Sequence, residues 1–269
     1  MDPRPDILVT TAALADELAG PAPPALLHVR PGAAPPGAPR IPGAVDVDLA
    51  RELAGPGGGV AGSRPLPSIG QLQADARRWG LRQRQAVVLY DDDRLLTAAR
   101  GWWLLRWAGI ARVRLLDGAL PAWRAAGFDL ATAPAILPPG DVALSPGHLP
   151  VLDADQAASL AREGRLLDSR VRVNYIGKGH IPGAVSAPAP DTLTEEGPFA
   201  DAAVLAALFG ALGADGSRPL GVSCGAGVSA AHAIAALALT GVPAALHVGS
   251  FSAWSADPAR PVVRGADPG

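Results

Sequence analysis

A chain that carries the same pattern twice has to fold as two copies of one architecture, and this sequence of 269 residues carries one such pattern. Leu26-Leu27-His28-Val29-Arg30 is answered by Leu166-Leu167-Asp168-Ser169-Arg170, 140 residues later. Arg40-Ile41-Pro42-Gly43-Ala44-Val45 is answered by His180-Ile181-Pro182-Gly183-Ala184-Val185 at the same spacing. Further on, one apolar run ends at Asp91 and its counterpart at Cys224, now 133 residues apart, so the second half is shorter between these blocks. Helical segments are expected after each run, over 97–107 and 229–239, and a further strand and turn follow both.

The repeat divides the chain into an N-terminal domain over 5–132 and a C-terminal domain over 148–267, joined by a linker at 133–147. Pro/Gly-rich stretches at 133–140 and 145–150 mark the junction. Within each half, short apolar runs bounded by breakers alternate with helical patterns, as parallel strands covered on both faces do. The expected fold class is α/β: two tandem domains, each a mostly parallel sheet flanked by helices, with chemistry gathered at the C-terminal ends of the strands.

Composition removes several function classes. Hydrophobic residues make up 49% of the chain and charged residues 18%, which describes a packed globular protein. The formal net charge of −2, with no block of like charges, offers no footprint for nucleic acid or an anionic membrane. The most apolar run, 230–239, is about half of what a membrane span requires and contains His232. The acidic, proline-bearing start lacks the basic and apolar regions of a secretory signal, so a soluble cytoplasmic protein is expected. A lone cysteine excludes an intramolecular disulfide framework and a cysteine-cluster zinc site. No metal or organic cofactor is expected, since neither a ligand cluster nor a nucleotide fingerprint appears.

That cysteine is the best candidate for chemistry. Cys224 stands at the end of an apolar strand and is followed by Gly225, Ala226, Gly227, Val228 and Ser229, which lead into an alanine-rich helix. The position favours an anion: free backbone N–H groups and the positive end of the helix dipole converge there. Thiolate is the nucleophilic form of cysteine, and the two glycines let the backbone turn inward around it. A cysteine phosphatase uses a similar strand–loop–helix, but needs an arginine six residues after the cysteine, where this chain has Ala230.

Several motifs in order resemble those of the tandem-domain rhodanese-type sulfurtransferases, the thiosulfate and 3-mercaptopyruvate sulfurtransferase family. They are Asp168-Ser169-Arg170, Gly179-His180-Ile181-Pro182-Gly183-Ala184, the Cys224 loop, the segment from Val248 to Ser255 and, in the first half, the segment from Leu116 to Trp123. The resemblance covers essentially the whole chain. It implies two rhodanese-like domains, of which only the C-terminal one is catalytic, since Asp91 replaces the cysteine in the first. It also implies a double displacement: Cys224 takes a sulfane sulfur from a small anionic donor as a persulfide, and a thiol, a thioredoxin-like protein or cyanide removes it.

Under this reading the 225–229 loop stabilises the persulfide, and Arg170 holds the anionic part of the donor. The alternative role for Arg170 is a structural salt bridge at a strand end. Asp168 and His180 read as scaffold, and His232 as a core residue. Ser229 reads either as a donor to the sulfur or as a helix cap.

The sequence departs from the family at informative places. Asn174 stands where a second donor-binding arginine is usual, leaving Arg172 and Lys178 as possible substitutes. Ala226 lacks the hydroxyl usual in mercaptopyruvate-type loops. His28 and Arg40 replace an aspartate and a histidine in the first half, so a Ser–His–Asp relay cannot operate from those positions. A loop without basic side chains points to 3-mercaptopyruvate as donor, whereas a second cation over Cys224 would point to thiosulfate. The competing reading is a degenerate pair acting as a sulfur carrier or binding module with little turnover.

Overall fold

The computed structural model describes residues 2–269. It contains ten strands in chain order: β1 (Leu8–Val9), β2 (Ala25–Arg30), β3 (Val45–Asp48), β4 (Val87–Tyr90) and β5 (Val113–Leu116) in the first half, then β6 (Val151–Leu152), β7 (Leu166–Asp168), β8 (Val185–Ser186), β9 (Gly221–Ser223) and β10 (Ala245–His247) in the second. They form two five-stranded sheets of the same topology, β1-β5-β4-β2-β3 and β6-β10-β9-β7-β8. Every pairing between these strands is parallel. The sequence repeat is thus a repeat of one α/β fold.

The apolar strands predicted from the sequence are the central ones. β2 and β4 are buried at every position, because helices cover both faces of a parallel sheet. The strands that sequence reading does not single out are short edge strands: β1, β6 and β8 have two residues each, too few to show a periodicity, and β3 has four.

The helices after β4 and β9 run over Leu96–Trp107 and Val228–Leu239, each starting one residue before its predicted position. They pack against each other and join the two domains through one continuous apolar core, in which Val29, Leu89 and Trp103 belong to the same cluster as Val222, Ala231 and Ala235. This explains why 230–239 is apolar on every side. The helix has its own sheet behind it and the other domain in front, leaving little of it to water. Its alanines are buried except Ala238, which is partly exposed.

The segment expected to be a linker is an extended strap fixed along the N-terminal domain. Gly140 donates to the Arg77 carbonyl at 2.7 Å, Val142 to Leu81 at 3.2 Å, Ser145 to Ala108 at 3.1 Å and His148 to Trp107 at 3.1 Å. Glycine is required at 140, where an added Cβ would sit 1.9 Å from the Leu81 carbonyl oxygen. Among the described residues, no helix is long and apolar enough to cross a membrane.

Candidate active site

β9 ends at Ser223, so Cys224 is delivered to the C-terminal edge of the second sheet, beside β7 and facing the N-terminal domain. Its carbonyl accepts the Phe251 N–H at 2.8 Å, and the Gly225 carbonyl accepts that of Ser252 at 2.9 Å. The segment after β10 therefore clamps the loop from one side. Ser250 adds a further tie: its hydroxyl oxygen accepts the Cys224 N–H at 3.2 Å and lies 3.8 Å from Sγ. Ser250 holds this place in a left-handed backbone conformation (φ 51°), a strained geometry for a residue other than glycine.

Cys224 is almost fully buried. Its Sγ accepts the Gly227 N–H at 3.0 Å, the distance of a strong bond to sulfur. Gly227 has φ 74° and immediately precedes the Val228–Leu239 helix, so the turn aims its N–H at the sulfur. Above the sulfur lies a cavity of about 550 Å³. Gly225, Ala226, Val228 and Ser229 line it, together with Arg170, Lys178 and Asn174.

Arg170 forms the salt bridge at the strand end and also lines the cavity. Its Nε donates to the Asp168 carboxylate at 2.9 and 3.1 Å and its Nη2 at 2.5 Å, while Nη2 also reaches the Gly179 carbonyl at 2.8 Å. Its guanidinium carbon lies 4.1 Å from the centre of the Phe251 ring. Nη1 is buried with no protein partner among the described residues, and the residue lines the cavity. A fixed guanidinium with one free edge is a suitable anchor for an anion.

The two possible substitutes separate. Lys178 lines the cavity over Cys224, whereas Arg172 lines a different, smaller one beside Ser186 and Phe209. The Ser229 hydroxyl does not cap its helix; it accepts from Ser169 at 3.3 Å at the cavity wall. His180 stacks on Tyr175 with ring centres 3.8 Å apart, and its Nε2 faces the Asp267 carbonyl at 3.1 Å, the scaffold position expected for it. His232 is fully buried and faces Thr192 at 3.1 Å; burial pushes its pKa down to about 4.

One charged cavity residue was absent from the sequence reading. Arg64, from a Gly/Pro-rich loop of the first domain, lines the cavity over Cys224 together with Leu96. The Ser63 N–H donates to the Ser252 hydroxyl at 2.9 Å, which pins this loop to the catalytic half. Arg64, Arg170 and Lys178 thus surround the cavity, and none of its lining residues is acidic. Arg64 belongs to no motif and comes from the other domain, so local spacing held no signal for it.

The equivalent place in the first half is closed. The Asp91 carboxylate accepts the N–H groups of Asp93, Leu95, Thr97 and Ala98 at 3.0 to 3.1 Å, and the Thr97 hydroxyl at 3.0 Å. Burial pushes the Asp91 pKa up to about 6, against the pull of these donors. Beside it, Asp46 pairs with Arg30 at 3.0 Å and with Arg40 at 2.9 Å, and Asp92 pairs with Arg30 at 2.5 Å. His28 lies within this network and is kept neutral, its pKa pushed down to about 3 chiefly by burial.

Comparison with known proteins places these features in a family. The model of the rhodanese-like domain matches twice, over residues 11–126 and 153–257. SseB of Mycobacterium tuberculosis, a proposed thiosulfate sulfurtransferase, is 42% identical over 98% of this chain and 99% of its own. A proposed 3-mercaptopyruvate sulfurtransferase of Pseudomonas aeruginosa is 43% identical over 84% of each chain. Among solved structures, the 3-mercaptopyruvate sulfurtransferase SseA from Escherichia coli superposes with a TM-score of 0.78 at 28% identity, covering 91% of this chain and 98% of SseA.

Proposed function

The chain belongs to the rhodanese family and is a sulfurtransferase, and on that premise we propose that Cys224 carries the sulfur and that thiosulfate is its preferred donor. One observation supports the reading above all: the sulfur that accepts the Gly227 N–H lies at the floor of a cavity ringed by Arg64, Arg170 and Lys178. A dianion gains more than a monocarboxylate does from Arg64, Lys178 and the free Nη1 edge of the Asp168-paired Arg170, and no acidic side chain lines the cavity to oppose it.

The Cys224 thiolate attacks the outer sulfur of thiosulfate, and a new S–S bond forms at Cys224. The bond between the two donor sulfurs breaks, and sulfite leaves with its electron pair. Arg170 Nη1 holds the sulfonate end, with Arg64 and Lys178 balancing its second charge. The terminal persulfide sulfur is anionic, and the 225–229 loop, whose Gly227 N–H already donates to Sγ, supplies the N–H groups that stabilise it. A nucleophile then attacks that sulfur, and Cys224 leaves as thiolate. With cyanide the product is thiocyanate; with a thiol, including that of a thioredoxin-like protein, it is a new persulfide. The lone thiol needs a reducing compartment to stay reactive, which supports a cytoplasmic location.

The test is to incubate the protein with thiosulfate or with 3-mercaptopyruvate and measure intact mass. Thiosulfate should add one sulfur atom to wild type and none to Cys224→Ser, and cyanide should then support many turnovers. Faster loading from 3-mercaptopyruvate overturns the donor assignment. Loading without repeated turnover favours the sulfur-carrier reading, and no loading from either donor refutes both.

A further inference from the structure

Arg100 lies within the Leu96–Trp107 helix of the N-terminal domain, the half without a nucleophile, and its side chain is wholly excluded from water. It has no carboxylate partner within salt-bridge distance among the described residues. Its guanidinium reaches only carbonyl oxygens, at long distances: Leu53 at 3.4 Å, Arg64 at 3.3 Å, Pro65 at 3.5 Å and Gly227 at 3.4 Å. Dipoles at that range do not compensate a desolvated cation, and a buried charge normally has a counter-ion.

The fourth of these contacts shows where the counter-ion is. Gly227 accepts from Arg100 through its carbonyl and donates its N–H to Cys224 Sγ at 3.0 Å. An added Cβ at Gly227 would lie 3.0 Å from Arg100 Nη1, so the guanidinium packs directly against the turn that holds the sulfur. Burial pulls the Arg100 pKa down to about 10, and the charge of Cys224 acts in the opposite direction. The other charged groups around Cys224 are differently placed. Arg64 is half-buried and Lys178 exposed on the cavity wall, Arg170 is neutralised by Asp168, and His247 and His232 are neutral at pH 7.

We infer that Arg100 is a positioning residue of the active site: supplied by the N-terminal domain, it fixes Gly227 and provides the buried positive charge that balances the Cys224 thiolate and its persulfide. The inference rests on Cys224 as nucleophile. It makes the N-terminal domain half of the catalytic electrostatics rather than a passive companion.

The test uses no sulfur donor, so its failure and a failure of sulfur loading are separate results. Wild type, Arg100→Lys and Arg100→Met are alkylated with iodoacetamide from pH 5 to 9, and modification of Cys224 is followed by intact mass. Arg100→Met should react about tenfold more slowly at pH 7, with the rise in rate displaced upward by about one pH unit, because one unit corresponds to a tenfold change in thiolate. Arg100→Lys should stay within about threefold of wild type. A purely structural role would leave the pH profile in place, and superimposable profiles for Arg100→Met and wild type overturn the inference.

Should Arg100→Met not fold, wild type and Cys224→Ser are melted from pH 6 to 9. The ionising thiol should then widen the Tm gap in favour of wild type by about 3 °C. A constant gap overturns the inference equally.

Discussion

Replacing Arg170 separates its two roles, because each has its own energy and its own readout. Arg170→Met removes the partner of a carboxylate that is 1% exposed and is otherwise held, among the described residues, by the Arg170 N–H at 3.1 Å. Leaving one member of a buried pair alone costs about 3–5 kcal/mol. At about 2–4 °C per kcal/mol for a chain of this size, Tm should fall by roughly 10 °C. Adding Asp168→Asn makes the pair neutral, and most of that loss should return. The free Nη1 edge is not restored, and a hydrogen bond to a charged group contributes about 1.5–3 kcal/mol. In kcat/KM for thiosulfate that is a loss of about 10- to 150-fold. The assay pairs thermal melting with thiocyanate formation for both single variants and the double variant. The reasoning fails if the double variant recovers both stability and kcat/KM to within about threefold of wild type, since Arg170 would then serve only to anchor Asp168.

Two further perturbations address the rest of the site. Arg64→Ala keeps the backbone carbonyl that Arg100 uses and removes a side chain at the cavity rim, so stability should stay within about 0.5 kcal/mol while KM for thiosulfate rises about tenfold, an effect that shrinks at high salt; an unchanged KM removes Arg64 from donor capture. Asp91→Asn tests the closed site of the first half. A carboxyl whose folded pKa is raised from 3.8 to about 6 is easier to bury protonated, so wild type loses stability as pH rises through that window, by about 3 kcal/mol. The buried neutral histidines, His28, His232 and His247, act in the opposite sense, losing stability as pH falls from 6.5 towards 4, but they are common to both proteins and cancel. Urea unfolding should therefore show the difference moving in favour of Asp91→Asn between pH 4 and 7, and a flat difference contradicts the assigned shift.

What could be read from the sequence was what is local. The Cys224 loop, the central strands and the two long helices each carry their signal within a dozen residues. The Asp91-for-Cys224 exchange needed only the register of the repeat. The short edge strands could not be read because two residues give no period, and their hydrogen bonds come from neighbours already in place. Arg172 and Lys178 looked equivalent in sequence, yet six residues on a helix turn through about 240°, which sends one to the catalytic cavity and the other to a different one. Arg64 and Arg100 were illegible for another reason, since each acts on a loop in the opposite domain. For Arg100 a faint signal did exist: it is a charged residue in an apolar helix, flanked by Ala98, Ala99, Trp102 and Trp103, all buried. A charge that a helix buries this deeply needs a counterpart elsewhere in the fold.

Asp91 carries a further meaning once its side chain is laid over that of a sulfur-loaded cysteine. In each, a first atom beyond Cβ bears a second that holds the negative charge: Cγ and a carboxylate oxygen in one, Sγ and the outer sulfur in the other. On the proposed function, the carboxylate of the first domain stands where the second domain would carry its sulfur. Four N–H groups and one hydroxyl surround the Asp91 carboxylate, and in the 224–229 turn the Gly227 N–H plays the same part toward Sγ. Duplication has left this chain with a fixed carboxylate in one half at the place where the other half holds its thiol.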